Sequence, residues 1–159
     1  MVAAVPRYLV SRPEVICGLP FAIVRCGYLF IGDQVSVGVE RRTALDQDGQ
    51  PFGEGMESLV VVGSHATRIE LSTEAAVQMF LTARAKTFRI EYRPLTISMP
   101  WVLWVYKFAN TGLVIAESQL EPGGRMAETP EWCDDDVTDD PRFSDAQLAL
   151  NPYSPAALA

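Results

Sequence analysis

The chain has 159 residues, which indicates one domain, and 48% of them are hydrophobic and 21% charged, as in an ordinary globular protein. Its 13 basic and 20 acidic residues give a formal net charge of −7, which argues against a nucleic acid or an anionic membrane surface as a partner. Three scattered cysteines and a single histidine are typical neither of a disulfide framework nor of a zinc site. We therefore expect a cytoplasmic protein with free thiols.

Short segments rich in β-branched and aromatic residues predict strands over much of the chain. The earlier strands are predicted at residues 8–10, 22–31, 35–39, 59–62 and 68–71. A helix signal follows, because Ser72 or Thr73 can cap a helix and apolar residues then recur at helical spacing as far as Leu81. The later strands are predicted at residues 88–92, 101–108 and 113–120. A second, short helix over residues 144–150 ends before Pro152.

Seven or eight strands with one mid-chain helix and no internal repeat fit a closed antiparallel barrel better than an open sheet. Successive residues of a strand point to opposite faces, so charged residues two apart share one face. In the third strand Ser36, Gly38, Glu40 and Arg42 share a face in this way. The periodicity of the chain therefore indicates a class of fold, and it does not indicate a particular function.

Sequence motifs in three parts of the chain carry a resemblance to a known family. The first part contains RYLV at residues 7–10 and CGYL at residues 26–29, and the second contains GLVIAESQL at residues 112–120. The third and most specific is VTDDPRFSDA at residues 137–146, which PEW at residues 130–132 precedes. In this order the motifs resemble those of the CYTH, or triphosphate tunnel metalloenzyme, superfamily over nearly the whole chain.

The resemblance implies an α+β, mainly β fold, in which eight antiparallel strands close into a barrel with a mid-chain helix and a short C-terminal helix. Residues 1–150 would form this single domain, and residues 151–159 would form a flexible tail. In the family, basic side chains inside the tunnel bind a triphosphate and acidic side chains bind Mg²⁺ or Mn²⁺. Its members hydrolyse inorganic triphosphate, thiamine triphosphate or RNA 5′-triphosphates, or they cyclise ATP.

Many positions that resemble the family's ligand positions hold other residues in this chain. The opening ExExK signature corresponds to Ala3, Val5 and Arg7, so that only its base is kept. A later ExD pair corresponds to Val102 and Trp104. We expect the indole of Trp104 to plug the lumen at a position where the family has a metal-binding carboxylate.

The polar residues that remain at the family's tunnel positions define a predicted ligand-binding set. Its members are Arg7, Arg68, Glu70, Arg89, Glu91, Glu117, Gln119 and Arg142. Their nearly balanced charge favours ion pairs inside a filled barrel, because a buried charge requires a partner. Arg142 is expected to pair inward with a buried acid. The set predicts no catalytic residue and no metal site; if a metal bound, its ligands would be Glu70 and Glu117.

These observations favour a catalytically degenerate CYTH-like protein, a pseudoenzyme that acts as a binding or protein-interaction module without a cofactor. One alternative is a divergent triphosphatase or phosphohydrolase acting on inorganic triphosphate or nucleotides, which would need Mg²⁺ or Mn²⁺. Another is a protein that binds a small organic anion between Arg7 and Arg89. The expected partner is an unknown protein or a second copy of the chain, and neither a nucleic acid nor a membrane. The apolar strand at residues 101–108 and the tail are its candidate surfaces.

Overall fold

The computed structural model describes residues 5–15, 17–95, 101–119 and 128–155, which form an eight-stranded antiparallel sheet with two helices. The strands are β1 (Arg7–Leu9), β2 (Cys17–Ile31), β3 (Ser36–Leu45), β4 (Pro51–Val62), β5 (Ala66–Glu70), β6 (Ala85–Pro94), β7 (Trp101–Tyr106) and β8 (Val114–Ser118). The helices are α1 (Thr73–Thr82) and α2 (Asp145–Leu150). The predicted strand number, the antiparallel pairing and both helices agree with this structure.

The sheet is open, and the prediction of a closed β-barrel is therefore wrong. The strand order is β1-β8-β7-β6-β2-β3-β4-β5, which leaves β1 and β5 at the two edges. The outer edge of β1 is occupied by a later segment of the chain. Leu9 N–H donates to the Asp135 carbonyl at 2.9 Å, and Val137 N–H donates to the Arg7 carbonyl at 2.9 Å. Closure would require β5 to pair at this same edge, and strand periodicity contains no information about which segment reaches it first.

Helix α1 packs against β2, β3 and β4. Its first turn is capped as predicted, because the Ser72 hydroxyl accepts a hydrogen bond from Ala75 N–H at 3.2 Å. The helix approaches β2 closely at Gly27, where an added Cβ would lie 2.9 Å from the side chains of Phe80 and Ala83. Glycine at this position therefore permits the contact between helix and sheet.

Two apolar clusters lie on the two faces of β7. The first consists of Val10, Trp101, Leu103, Val114 and Ala116. The second consists of Tyr106, Leu113, Ile115, Val137, Phe143 and Leu148. The first face is covered by the chain itself, since the Trp132 ring lies 6.1 Å from that of Trp101 and packs edge to face. Strand β7 of the candidate partner surface is thus largely buried within the molecule, whereas Phe108 at the end of that range is exposed.

The predicted C-terminal tail and the first position of the ExExK signature lie at the ends of the described regions. The backbone N–H of Tyr153 donates to Asn110 Oδ1 at 2.7 Å, so the beginning of the predicted tail lies against the second cluster. Ala3 and residues 156–159 lie outside the described residues. Within the described part of the chain the three cysteines are free thiols. None of the described helices is long and apolar enough to cross a membrane.

Candidate functional site

A charged cleft of about 340 Å³ lies on the face of the sheet opposite α1. Its lining residues come from β3, β4, β5, β6, β7, β8 and the residue after β8, and they are Glu40, Arg42, Met56, Ser58, Arg68, Arg89, Glu91, Trp104, Glu117 and Gln119. Strand register brings them together. Val24 pairs with Arg42 on one side and with Arg89 on the other, so both arginines project from the same face. We call this cavity the charged cleft.

The rim of the charged cleft has basic groups outside and acidic groups beneath. Arg68 Nη1 lies 2.6 Å from Glu40 Oε1, and the arginine side chain is 56% exposed while that of the carboxylate is 11% exposed. Arg42 makes two hydrogen bonds to Glu91, and their side chains are 36% and 4% exposed. A solute that enters the cleft therefore meets guanidinium groups before it meets carboxylates.

The floor of the cleft contains Trp104 between two arginines. The guanidinium carbon of Arg89 lies 4.1 Å from the indole ring centre, and that of Arg7 lies 5.0 Å from it. Both distances are within the range of a cation–π interaction. Trp104 is half-buried and lines the cleft, so the predicted plug position is occupied by the indole while a cavity remains beside it.

A largely buried carboxylate, whose side chain is 17% exposed, belongs to Asp145, the first residue of α2, and lines an adjoining cavity with Arg89 and Trp104. The Asp145 carboxylate accepts hydrogen bonds from the hydroxyls of Tyr28 at 2.6 Å and Thr87 at 2.7 Å. It also accepts from the Tyr106 hydroxyl at 2.9 Å and from Arg89 Nη1 at 3.3 Å. Burial by itself raises the pKa of the Asp145 carboxyl, but Arg89 and the three hydroxyls outweigh it and hold that pKa below its ordinary value.

The structure brings most of the predicted set to this one place. Five of its members line the charged cleft, and they are Arg68, Arg89, Glu91, Glu117 and Gln119. Arg7 borders it through the Trp104 ring and through an ion pair with Glu117, where Nε and Oε2 are 3.6 Å apart. Glu70 is exposed in edge strand β5 and is not among the residues that line the cleft.

Arg142 lies away from the charged cleft, and the expectation that it pairs inward is wrong. Its side chain is 68% exposed, and Nη2 forms an ion pair at 2.6 Å with Asp140 Oδ2. The 3-10 turn Pro141–Phe143 explains this orientation, because it directs the neighbouring Phe143 into the second apolar cluster. A 3-10 turn has about three residues per turn, so successive side chains point in different directions, and Arg142 faces solvent while Phe143 is buried.

Three charged residues of this site, Glu40, Arg42 and Asp145, were not in the predicted set. Glu40 and Arg42 are two residues apart in a predicted strand and therefore share a face. That spacing could have assigned both of them to the cleft. Asp145 lay within the most specific motif, but its donors are 39 to 117 residues away in sequence. Contacts of that separation leave no local pattern in a single sequence.

The carboxylates of the cleft do not fit a divalent metal ion. Mg²⁺ and Mn²⁺ require several oxygen ligands around one centre, and the described residues contain no group of three or more His, Cys, Asp or Glu side chains arranged to hold a metal. Glu91 is bound by Arg42 and Arg89, and Glu117 lies between Arg7 and Gln119. Burial raises the pKa of Glu117 above its ordinary value, which weakens it further as a ligand.

Comparison with known proteins gives relatives of one kind, although no family model matches the chain. The chain is 24% identical over 131 residues to an inorganic triphosphatase of Acetivibrio thermocellus, a match that covers 82% of each chain. The crystal structure of the inorganic triphosphatase NE1496 superimposes with a TM-score of 0.63 at 18% identity, and covers 97% of this chain and 99% of its own. A second structure, of the hypothetical protein NE1496, gives a TM-score of 0.61 at 19% identity, and the match covers 92% of this chain and 96% of that one.

The relatives with a named activity are inorganic triphosphatases, so the comparisons do not support the prediction of a non-catalytic binding module. The structural likeness extends over nearly the full length of both chains and, at these identities, concerns the fold. The chain has the fold of the triphosphate tunnel proteins, and its resemblance to the CYTH superfamily is confirmed.

Proposed function

We propose that this protein, which is similar to an inorganic triphosphatase, binds a linear phosphate compound of the inorganic triphosphate class in the charged cleft. The observation that carries the proposal is the layering of the rim, where Arg42 and Arg68 lie outside the carboxylates that pair with them. The likeness to an inorganic triphosphatase supports the choice of ligand class.

The chemistry of the rim suits phosphate oxygens. A guanidinium carries five N–H donors in a planar fork, and this geometry matches the oxygens of a phosphate group. The exposed Arg68 contacts Glu40 through Nη1, so a phosphate can approach its solvent-facing side without breaking that ion pair. Ser58 and Gln119 line the same cavity and add neutral polar groups.

Hydrolysis assisted by a metal ion has less support from the side chains that line this cleft. Glu91 and Glu117, which would have to bind the metal, are held by arginines instead. Val102 and Trp104 occupy the positions that correspond to the family's ExD pair, and neither side chain offers an oxygen ligand to a cation. We therefore propose ligand binding without metal-dependent turnover.

The second candidate function is metal-dependent hydrolysis of inorganic triphosphate, and the triphosphatase activity of the relative favours it. A phosphate-release assay with Mg²⁺ or Mn²⁺ separates the two. We expect no release that a chelator abolishes. Turnover of about 1 per second or faster, the low end of ordinary enzyme rates, that disappears with chelator would establish the second candidate and overturn the first.

Calorimetric titration with inorganic tripolyphosphate in chelator tests the binding proposal. We expect Arg68→Ala to weaken binding by about tenfold, because a hydrogen bond to a charged group contributes about 1.5–3 kcal/mol when it is well formed. Arg142→Ala is the matched control, since it removes an equally exposed arginine outside the cleft. Equal losses in both variants, or no binding by the parent protein, would contradict the proposal.

A further inference from the structure

We propose that Asp145 is a positioning residue, which keeps Arg89 paired at the floor of the charged cleft so that an anion is bound by Arg42 and Arg68. The inference rests on the proposed function, because it concerns the same cleft and identifies which of its arginines contact the ligand. It starts from the four donors that converge on one buried carboxylate.

Those donors use the hydrogen-bonding capacity of Asp145 fully. Oδ2 accepts from the hydroxyls of Tyr28 and Thr87 at 2.6 and 2.7 Å. Oδ1 accepts from the Tyr106 hydroxyl at 2.9 Å and from Arg89 Nη1 at 3.3 Å. A carboxylate has about four lone-pair sites, so this arrangement fixes its orientation and with it the position of the guanidinium that it holds.

Each of the three nitrogens of the Arg89 guanidinium already donates in this arrangement. Nη1 is bound to Asp145, whereas Nε and Nη2 both donate to Glu91 Oε1, at 3.3 and 3.2 Å. Its planar face covers the ring of Trp104 at 4.1 Å. An anion that displaced Asp145 would leave a largely buried carboxylate without its charged partner, which is strongly unfavourable. Arg42 and Arg68 are less restricted, because their side chains are 36% and 56% exposed.

Asp145→Asn tests this role because asparagine has the same shape and one acceptor oxygen but no charge. The substitution removes one negative charge next to Arg89, and the cleft gains one net positive charge. We expect the variant to bind tripolyphosphate about tenfold more tightly, which corresponds to 1.4 kcal/mol, because a carboxylate that repels the anion is lost and the charge of Arg89 is less neutralised. We also expect a lower melting temperature, because the amide accepts fewer of the four hydrogen bonds.

The combination of tighter binding with lower stability separates positioning from a merely structural role. Asp140→Asn is the matched control: it removes the same charge from a carboxylate that pairs with Arg142 outside the charged cleft, so it should leave the affinity unchanged. A folded Asp145→Asn protein whose affinity is unchanged or weaker would overturn the inference.

A measurement on the parent protein covers the case in which Asp145→Asn does not fold. In a titration with tripolyphosphate, the side-chain Nε–H resonances of Arg42 and Arg68 should shift and that of Arg89 should not. A dominant shift at Arg89 would overturn the inference while the proposed function stands. If the parent shows no binding, the proposed function fails, and Asp145→Asn then decides alone: binding gained by the variant supports the inference, and none gained overturns it.

Discussion

Arg89 and Arg142 both lie beside carboxylates, but their surroundings differ. The Arg89 side chain is 7% exposed and is held by Asp145 and Glu91, whereas Arg142 is exposed and pairs with Asp140 two residues earlier. An exposed pair between near neighbours is screened by water and contributes little to stability. A buried pair cannot be broken at one partner without leaving an unpaired charge. The consequences of substitution should therefore differ at the two sites.

The first prediction is that Arg142→Ala leaves the melting temperature of the protein unchanged within experimental error. The neighbouring Phe143→Ala serves as the control, because Phe143 is buried in the second apolar cluster. Truncating a buried phenylalanine costs about 3–5 kcal/mol, and this variant should melt far below the parent. A similar loss in both variants would mean that Arg142 has a buried partner in solution.

A second prediction concerns the indole between the arginines. Trp104→Leu should be less stable in urea unfolding than Trp104→Phe by about 1–2 kcal/mol, because leucine offers no aromatic face to Arg7 and Arg89. The same pair of substitutions in an Arg7→Met background measures the coupling. If the difference between leucine and phenylalanine is the same in both backgrounds, the contact between Arg7 and the ring adds nothing to stability.

The third prediction is a pH dependence with two parts of opposite sign. The pKa of Asp145 is lower in the folded state than its ordinary value of 3.8, so its pairing stabilises the fold above that pH and is lost as the pH falls through the lowered value. The pKa of Glu117 is raised above its ordinary value of 4.5, because burial disfavours its charge. Protonation of Glu117 therefore relieves a cost as the pH falls towards 4.5.

Thermal melts from neutral to strongly acidic pH measure these two contributions against variants. The parent should gain stability as the pH falls towards 4.5, and Glu117→Gln should not show this gain. Asp145→Asn should have a shallower loss of stability below pH 3.8. An acid limb of the same slope in the parent and in Asp145→Asn would show that this carboxyl has the same pKa in the folded and unfolded states.

At the scale of elements, the two edges of the sheet differ in how they are protected. The edge of β1 is bonded to residues 134–137, with Asp134 N–H also donating to the Leu9 carbonyl at 2.8 Å. Strand β5, at residues 66–70, is exposed along its whole length. Its short length and its charged Arg68 and Glu70 are features that protect an edge strand from pairing with another chain.

The fourth prediction follows from this difference and is measured by hydrogen exchange. Backbone amides of the central strand β6 should exchange slowly, because β6 is paired on both sides, and those of β5 should exchange much faster. The amide of Val137 should be protected by its bond to the Arg7 carbonyl. Protection of β5 equal to that of β6 would indicate that the sheet closes in solution.

For the whole molecule, the distribution of charge matters more than its sum. The chain has a formal net charge of −7, but the rim of its cleft exposes guanidinium groups. The acidic run at residues 134–136, 139 and 140 lies beside β1 and in the turn before α2, not in the cleft. An acidic protein can therefore attract an anion locally, because salt at physiological strength screens charges beyond about 8 Å.

The fifth prediction concerns magnesium. Tripolyphosphate should raise the melting temperature by mass action, and equimolar Mg²⁺ should reduce that shift, since it binds phosphate oxygens and removes charge that the rim arginines recognise. Sodium at equal ionic strength is the control for screening. A larger shift with Mg²⁺ than without it would favour the metal-dependent triphosphatase over binding through the arginines alone.

The sequence by itself determined the elements of this protein and its relationship. Segments rich in β-branched and aromatic residues located the strands, Ser72 or Thr73 marked the start of α1, and the motifs ending in VTDDPRFSDA indicated the superfamily. These features are local: a strand or a cap is encoded within a few residues, and a motif keeps its letters in order. The tunnel positions carried over with this resemblance predicted five of the residues that line the cleft.

Only the tertiary structure decided which segments and side chains meet. Residues 134–137 pair with β1 and leave the sheet open, although more than a hundred residues separate the two segments. Asp145 gathers its donors from β2, β6 and β7, and Arg142 turns outward because the adjacent Phe143 turns inward. Such contacts depend on competition among distant segments for the same edge or cavity, and the free energy of that competition is a property of the assembled chain.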